Sequence, residues 1–332
     1  MAQNMRLANW TLVQFFLFSA LLLTAFPTGI SAQTSSSAPY SVIYCTDLYY
    51  TFIMDNDDPF DAAVLLKSPE LDIKGIILDN HTYPSDGEKI LEKLMTYAGR
   101  HVPYVKGLGK FEMRSPSDQG LDAANQEGVE LILKTLRESK QKVSLIAVGS
   151  LTDFAVALQR DPKLLSDKVS TVYVVAGTME SRFQDWNVKL DPTAFVTMMR
   201  SKLPIVWVPV DTSMWYLPAP QLLIPTKNKL AHFLLNESLY YYLMLDSQAQ
   251  THKDRYEYYD LGLRMWSTPA FVLAAHDPGA SEMFELEPAN VEFDDDGLIK
   301  SVRFGAQSAN MQVVRSVNGT KLNEFIVARI NR

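Results

Sequence analysis

Five aspartates are concentrated near the start of the chain, where residues 41–61 have the sequence SVIYCTDLYYTFIMDNDDPFD. They are Asp47, Asp55, Asp57, Asp58 and Asp61, and the first directly follows an apolar run that is typical of a buried strand. Like charges at the end of a buried strand repel one another unless a cation, a shared proton or hydrogen-bond donors compensate them. The alternative interpretation is the solvated N-terminal cap of a helix, where aspartate is favoured. We favour a functional acidic site.

Apolar runs rich in Val and Ile alternate with helical patterns through most of the chain. Five runs are predicted strands: Val42–Thr46, Ile73–Leu78, Val143–Val148, Thr171–Ala176 and Pro204–Val210. Four stretches are predicted helices: Lys89–Ala98, Val129–Arg137, Leu151–Gln159 and Pro192–Arg200. Strands with little apolar–polar alternation are expected in a parallel sheet that is covered on both faces. The pattern therefore predicts an α/β fold with a doubly wound, mostly parallel central sheet and helices on both faces.

Polar or small residues follow every predicted strand at the point where the strand ends. They are Asp47, Asp79-Asn80, Gly149-Ser150, Gly177-Thr178 and Asp211-Thr212. In open α/β sheets, ligands bind beyond the carboxyl ends of the strands. The recurrence of such residues at five strand ends predicts a ligand site along this edge of the sheet.

Composition and charge restrict the class of protein. The chain has 332 residues, of which 47% are hydrophobic, enough for one large α/β domain or two small ones. The net charge is −7 and the Lys and Arg residues are scattered, so no basic face for nucleic acid is predicted. Cys45 is the only cysteine, which excludes an intramolecular disulfide and is typical of a small buried hydrophobe.

The N-terminal segment has the pattern of a signal peptide. Arg6 provides a positive charge, residues 10–26 are apolar, and Ala32 offers a small residue at the cleavage point. We predict a signal peptide at 1–32, a linker at 33–40 and a single domain at 41–332. The apolar run is marginal for a bilayer span, so an uncleaved anchor is the alternative. The expected location is secreted or periplasmic, with no membrane association after cleavage.

Several motifs resemble those of the inosine/uridine-preferring nucleoside hydrolase family, over roughly residues 41–330. Cys45-Thr46-Asp47 and Asp57-Asp58 resemble the family's DxDxxxDD motif, with Cys45 in place of the first aspartate and a longer intervening loop. Residues 148–153 (VGSLTD) look like TGPLTN, and residues 185–192 (DWNVKLDP) look like EFNIYVDP. The resemblance implies a mostly parallel sheet with a calcium ion at its carboxyl edge.

The first motif can be aligned in a second way. Asp55, Asp57 and Asp61 fit DxDxxxDD without gaps, but Ala62 then stands where the last aspartate belongs. We favour the first alignment because it keeps residues 42–46 as the strand that leads into the motif. It also continues without gaps into residues 68–70 (SPE), which look like the family's NPE turn.

The resemblance implies a role for each matching residue. Asp47 would be the metal-bound general base, Asp58 a ligand of a Ca²⁺ ion, and Val148 a further ligand through its backbone carbonyl. A hard cation bound by oxygen ligands can lower the pKa of a bound water and orient it. The sugar of the substrate would be bound by Asp57, Asn80, Asp185 and Asn187.

The C-terminal metal ligand of the family is the weakest match. The family requires an aspartate there, and His276-Asp277-Pro278 is one match to its motif. Residues 265–272 (MWSTPAFV) match the family's MWDPLAVA helix start better, so Ser267 or Thr268 would replace the aspartate. Asp61 lies one helical turn beyond Asp57 and Asp58, on the same helix face, and would supply the missing carboxylate.

The resulting functional hypothesis is hydrolysis of the N-glycosidic bond of a ribonucleoside or related N-glycoside by a metal-activated water. The group that protonates the leaving base is unassigned, and His276 is one candidate. The alternative is a catalytically impaired nucleoside- or sugar-binding protein on the same fold. A third, less favoured class is phosphoryl transfer through an aspartyl nucleophile. The expected partner is a small molecule rather than a nucleic acid, and the resemblance allows a homo-oligomer.

Overall fold

A large mixed sheet forms the centre of the fold. The computed structural model describes residues 39–48, 57–79, 87–180, 182–248, 262–306 and 309–332. The described strands are β1 (Tyr40–Thr46), β2 (Leu71–Leu78), β3 (Tyr104–Lys106), β4 (Val143–Ala147), β5 (Val169–Val175), β6 (Ile205–Val208), β7 (Trp215–Leu217), β8 (Leu263–Met265), β9 (Phe284–Phe293), β10 (Ile299–Phe304) and β11 (Met311–Val317). The large sheet has the order β10-β9-β11-β6-β5-β4-β1-β2-β3, and β7 and β8 form a separate antiparallel ribbon.

Helices cover both faces of the sheet. In chain order the described helices are α1 (Asp57–Leu66), α2 (Gly87–Ala98), α3 (Glu127–Glu138), α4 (Thr152–Arg160), α5 (Pro162–Lys168), α6 (Trp186–Leu190), α7 (Pro192–Met199), α8 (Val210–Ser213), α9 (Ala219–Leu223), α10 (Lys229–Gln248), α11 (Thr268–Ala274), α12 (Ala280–Met283) and α13 (Gly319–Ile330). Val42 and Tyr44 of β1 pack in one core with α1 and α2, whereas Ile43 and Cys45 pack in a second core with α3, α4 and α7. Because alternate residues of a strand point to opposite faces, β1 is buried on both sides.

β1 lies at the point where the strand order reverses. It pairs in parallel with β2 on one side and β4 on the other, so that Tyr44 stands opposite both Ile76 and Ile146. The chain continues from β1 to β2 and β3, and then crosses over to β4. Such a reversal opens a crevice at the carboxyl ends of the two diverging strands. Asp47 follows β1 and residues 148–150 follow β4, so both border this crevice.

The predicted fold class is confirmed. The five predicted strands correspond to β1, β2, β4, β5 and β6, and the four predicted helices to α2, α3, α4 and α7, with bounds that differ by a few residues. The sequence patterns did not predict β3, the β7–β8 ribbon or the antiparallel extension β9–β11. β3 has three residues, all half-buried, and β10 has no buried residue, so neither shows the apolar run used to find strands.

The predicted signal peptide and residues 33–38 of the predicted linker lie outside the described residues. β1 begins at Tyr40, one residue before the predicted start of the domain. Among the described helices, none combines the length and hydropathy that crossing a bilayer requires.

Arg329 forms a buried ionic link between three segments. Arg329 is only 3% exposed. Its Nη1 lies 2.6 Å from Glu70 Oε2, and its Nη2 lies 2.9 Å from Asp277 Oδ2. The contacts join α13 to the turn before β2 and to the end of α11. Removing one partner of a buried ion pair leaves the remaining charges uncompensated.

We therefore expect Arg329→Met to lower the free energy of unfolding by about 1.5–3 kcal/mol in urea titrations, because Arg329 is buried but its partners Glu70 and Asp277 are partly exposed. Arg332→Met is the matched control, because the Arg332 side chain is 55% exposed and lies 3.9 Å from the same Glu70. An exposed pair of this kind contributes about 0–1 kcal/mol. Equal, small losses for the two variants would contradict the assignment.

Candidate active site

Five buried carboxyl groups surround the carboxyl ends of β1 and β2. Asp47 follows β1, Asp57 and Asp58 begin α1, Asp61 lies one turn further along α1, and Asp79 follows β2. Each of the five residues is at most 2% exposed. A solvated helix cap would be exposed, so the structure favours a buried acidic cluster over the alternative of a solvated cap.

The start of α1 is joined to the segment that precedes α11, about two hundred residues further along the chain. Asp57 Oδ2 accepts hydrogen bonds from the backbone N–H groups of Trp266 (2.9 Å) and Ser267 (3.1 Å). The Thr268 hydroxyl donates a short hydrogen bond to Asp61 Oδ1. Ser267 and Thr268 therefore lie against the acidic cluster, as expected if the family's MWD motif is matched by residues 265–267.

Two carboxyl groups of the cluster, those of Asp47 and Asp61, are poorly compensated. Neither carboxylate oxygen of Asp47 has a hydrogen-bond partner within the described chain, and the same holds for Asp61 Oδ2 and the Tyr44 hydroxyl. Burial, followed by the charge of Asp79, raises the pKa of Asp47 to about 8. Burial, followed by the charge of Asp47, also holds the pKa of Asp58 well above its usual value. The cluster thus carries excess negative charge unless protons or a cation neutralise it.

The donor chemistry of the cluster fits a hard cation. The atoms of Asp47 and Asp61 that have no hydrogen-bond partner in the described chain are carboxylate oxygens, and Ca²⁺ prefers oxygen ligands of this kind. None of the ion pairs found in the described ranges places a Lys or Arg against Asp47, Asp58 or Asp61, so protein cations do not supply the compensation there. Within those same ranges, no three His, Cys, Asp or Glu side chains are spaced as a ready-made ligand set.

Asp185 and Asn187 lie at the start of α6, on the other side of the crevice. Asp185 caps the helix: its Oδ1 accepts hydrogen bonds from Gly177 N (2.7 Å) and Val188 N (3.3 Å), and its Oδ2 accepts one from Asn187 N (3.3 Å). The Asn187 Nδ2 group donates to the carbonyls of Val148 and Val175, both at 2.9 Å. Both amide hydrogens of Asn187 are thereby used, so its Oδ1 is the atom that can accept a hydrogen bond from a ligand hydroxyl.

A cavity of about 330 Å³ joins these residues. Four predicted site residues line it: Asp57, Val148, Asp185 and Asn187. The remainder of its wall is largely apolar and aromatic, formed by Val175, Phe183, Trp186, Val210, Trp266 and Ser267. An apolar pocket with a few convergent polar groups is the usual form of a small-molecule site, and its volume lies within the range of such sites. Asp47, Asp58 and Asp61 do not line the cavity, and all three are buried.

The aromatic wall was missed by sequence reasoning, although part of its signal was visible. Trp186 stands between the two predicted sugar ligands Asp185 and Asn187, and Phe183 lies just before them. Phe183 is 52% exposed and Trp186 42% exposed, so neither serves the hydrophobic core. Large exposed aromatics beside polar site residues are a recognisable feature of a binding wall.

His276 is remote from the acidic cluster. Its ring contacts that of Tyr40, with centroids 4.3 Å apart, and Tyr40 begins β1 whereas Asp47 follows its end. Seven residue steps along a strand span roughly 23 Å. His276 is therefore not the acid that protonates a leaving base in the cavity. The neighbouring Asp277 is bonded to Arg329, which accounts for its carboxylate without a metal.

Asn80 and Asp55 lie outside the described residues, so their predicted and possible roles stay predictions. Asp79 was named from the sequence only as a strand-end residue, and Asp153 only as part of the 148–153 motif; the structure shows that both are buried. Asp79 Oδ2 accepts a hydrogen bond from Ser150 N at 2.6 Å, and Asp153 Oδ2 accepts one from Leu108 N at 3.1 Å.

Asp153 gives the protein a predictable dependence of stability on pH. Burial, followed by the charge of Asp79, raises the pKa of Asp153 from 3.8 to about 7. When the pKa of a carboxyl is higher in the folded state than in the unfolded state, the group is protonated in both states at a pH below the lower of the two values. In that pH range it does not destabilise the fold. Its cost grows as pH rises from about 4 to about 7 and stays constant above that range.

We expect Asp153→Asn to raise the free energy of unfolding by up to roughly 4 kcal/mol at pH 8 and to leave it nearly unchanged at pH 4. Chemical denaturation at both pH values measures the difference. Asp118→Asn is the control of opposite sign, because hydrogen bonds from Arg114 lower the pKa of Asp118 to about 2. A gain for Asp153→Asn that is equal at the two pH values would contradict the assignment.

Comparison with known proteins agrees with this geometry. The model of the inosine-uridine preferring nucleoside hydrolase family matches residues 52–324. A pyrimidine-specific ribonucleoside hydrolase, RihA, from Escherichia coli O1:K1 is 28% identical over 181 residues, which cover 48% of this chain and 58% of that protein. The chain thus spans little more than half the length of the curated relatives that it matches.

Solved structures share the fold at lower identity. A purine-preferring ribonucleoside hydrolase from Gardnerella vaginalis superposes with a TM-score of 0.65 at 17% identity, covering 88% of this chain and 98% of that one. An inosine-uridine preferring nucleoside hydrolase from Bacillus anthracis superposes with a TM-score of 0.64 at 15% identity, covering 88% and 99%. The family model matches most of the chain, including the sheet and the site described above. This chain therefore belongs to the inosine-uridine preferring nucleoside hydrolases.

Proposed function

We propose that this protein hydrolyses the N-glycosidic bond of a ribonucleoside or a related N-glycoside. The observation that carries the proposal is the cavity lined by Asp57, Asp185 and Asn187, at the edge of the sheet where the buried, uncompensated Asp47 follows β1. One side of the cavity offers polar groups that suit sugar hydroxyls, and the other offers the aromatic surface that suits a flat base. Family membership supports this type of reaction.

Asp47 is the proposed general base. Its raised pKa, about 8, makes the ionised carboxylate a stronger proton acceptor than an ordinary aspartate, and this ionised form is the one that can remove a proton from an attacking water. Asp57 accepts hydrogen bonds from two backbone N–H groups, which orient its carboxyl group at the cavity wall. Asn187 Oδ1 and Asp185 are placed to accept hydrogen bonds from sugar hydroxyls.

The family is typically metal-dependent, and we propose Ca²⁺ as the ion. The carboxylates of Asp47, Asp58 and Asp61 and the carbonyl of Val148 would hold it. When bound, the ion lowers the pKa of water and orients it for attack. Asp61 Oδ2 would take the place of the aspartate that the family carries where Ser267 or Thr268 stands here. Asp47 and Asp58 supply the remaining carboxylate oxygens.

The described wall of the cavity contains no His, Lys, Cys or Tyr side chain that could protonate the leaving base. We therefore assign that step to no residue among those described. His276, the candidate that the sequence suggested, lies at the start of β1, whereas Asp47 follows the end of that strand.

A nucleoside- or sugar-binding protein without turnover is the second candidate, favoured by Cys45 and Ser267 at positions where the family has aspartates. A panel of purine and pyrimidine ribonucleosides, incubated with the purified protein and Ca²⁺, distinguishes the two. Release of free base, followed by chromatography, is the expected result. Binding of a nucleoside in a calorimeter with no base released would instead establish the second function.

We further propose export of the protein through the segment at 1–32, to a secreted or periplasmic location, with a small-molecule partner. The charge distribution supports the absence of a nucleic-acid partner, because Lys and Arg are scattered and the net charge is −7.

A further inference from the structure

The turn formed by residues 148–150, which follows β4, is held from both sides. Val148 N–H donates a hydrogen bond to the Cys45 carbonyl at 2.9 Å. Ser150 N–H donates to Asp79 Oδ2 at 2.6 Å, and Cys45 Sγ lies 3.9 Å from the Ser150 carbonyl oxygen. The backbone of Ser150 is therefore held on both sides. Its N–H is bound by the side chain of Asp79, which follows β2, and its carbonyl is contacted by the side chain of Cys45 in β1.

The middle of this turn touches Asp47. A Cβ atom added to Gly149 would lie 2.8 Å from the Asp47 backbone nitrogen and 3.1 Å from Asp79 Oδ2. Real Cβ atoms do not approach backbone that closely, so the turn and Asp47 are in direct contact. The backbone of Asp79 is tied to the same place, because its N–H donates to the Thr46 carbonyl at 2.8 Å.

We propose that Asp79 is a positioning residue for Asp47: its carboxylate fixes the 148–150 turn, and the turn fixes the backbone of Asp47 at the end of β1. This role rests on the proposed function, in which Asp47 is the general base. Asp79 does not touch the cavity, so it acts through Gly149 and Ser150 rather than on the substrate.

The contacts of Asn187 determine whether loss of the Asp79 carboxylate changes kcat, KM or both. The Asn187 amide is bonded to the Val148 carbonyl in the turn, but also to the Val175 carbonyl at the end of β5. A loosened turn leaves the second bond in place, so the sugar-binding side of the cavity keeps its geometry. Loss of the Asp79 carboxylate should therefore lower kcat and leave KM nearly unchanged.

The test compares Asp79→Ala with Asp153→Ala in the full chain. Both residues are buried carboxyl groups that accept a backbone N–H, and both substitutions remove that acceptor and leave a similar cavity. We expect Asp79→Ala to lower kcat about 100-fold, the cost of a displacement of about 1 Å in a catalytic group. Asp153→Ala should change kcat by less than about threefold, and Asp79→Asn, which keeps an oxygen for Ser150 N–H, should retain most of kcat.

Three results would overturn the proposal. A wild-type protein that releases no base overturns this inference together with the proposed function. An active wild type in which Asp79→Ala and Asp153→Ala lose kcat equally overturns only the positioning role. If Asp79→Ala fails to fold, Gly149→Ala replaces it, because its Cβ would push on the Asp47 nitrogen, and a Gly149→Ala variant with wild-type kcat would overturn the role as well.

Discussion

Replacing Asp47 by Asn should abolish most base release from nucleosides while making the metal-free protein more stable. General-base catalysis contributes about 10²–10⁴-fold to rate, so we expect kcat to fall by about the same factor. Stability should rise because Asp47 is fully buried, has no hydrogen-bond partner in the described chain, and has its pKa raised to about 8. An amide of the same shape removes the buried charge.

The opposite directions of the two effects make this prediction specific. A substitution that merely damaged the fold would lower activity and melting temperature together. Thermal melts in a chelator and rate measurements with Ca²⁺ give the two readouts. Asp153→Asn serves as the control, since it should also stabilise the protein at pH 8 but leave kcat intact. Wild-type activity in Asp47→Asn would remove the general-base role.

The central part of the fold was predictable because one physical pattern repeats there. The strands β1, β2, β4, β5 and β6 are buried on both faces, so each appears as an apolar run with a polar or small residue at its end. Since the carboxyl ends of parallel strands meet at one edge of a sheet, the position of the site followed from these ends alone. Asp47, Asp57, Val148, Asp185 and Asn187 were predicted as site residues in this way or from the family resemblance, and all of them except Asp47 line the cavity.

Contacts between distant segments were not predictable from spacing. The hydrogen bonds from Trp266 and Ser267 to Asp57 join residues about two hundred positions apart, and no local pattern encodes them. His276 is the converse case. Its side chain is a common catalytic acid, but only the packing of α11 shows that it lies against Tyr40 at the wrong end of β1. Residue type suggests chemistry, whereas tertiary packing decides which residues can take part.

The antiparallel strands β9–β11 show a third limit. Their outward side chains are polar and their burial alternates, so a search for continuous apolar runs passes over them. They extend the sheet at the β6 edge, away from the crevice between β1 and β4, and therefore affect the fold more than the site.

Calcium should stabilise the protein by binding the folded state alone. At a Ca²⁺ concentration 100 times Kd, mass action adds about 2.7 kcal/mol to the free energy of unfolding, which corresponds to a rise in Tm of about 5–10 °C. The effect should increase between pH 6 and pH 8, because an ion must displace the proton that Asp47 holds up to a pKa of about 8. Calorimetric melts with Ca²⁺ and with chelator measure the shift at each pH.

Substitution of Asp61 tests which carboxylate holds the calcium ion. Its Oδ1 is occupied by the Thr268 hydroxyl, whereas its Oδ2 is buried without a partner, so a ligand role must use Oδ2. Asp61→Asn should then remove most of the calcium-dependent rise in Tm, while Thr268→Val, which removes only the bond to Oδ1, should keep more of it. If Asp61→Asn retains the full rise but Asp58→Asn loses it, the ion is held without Asp61.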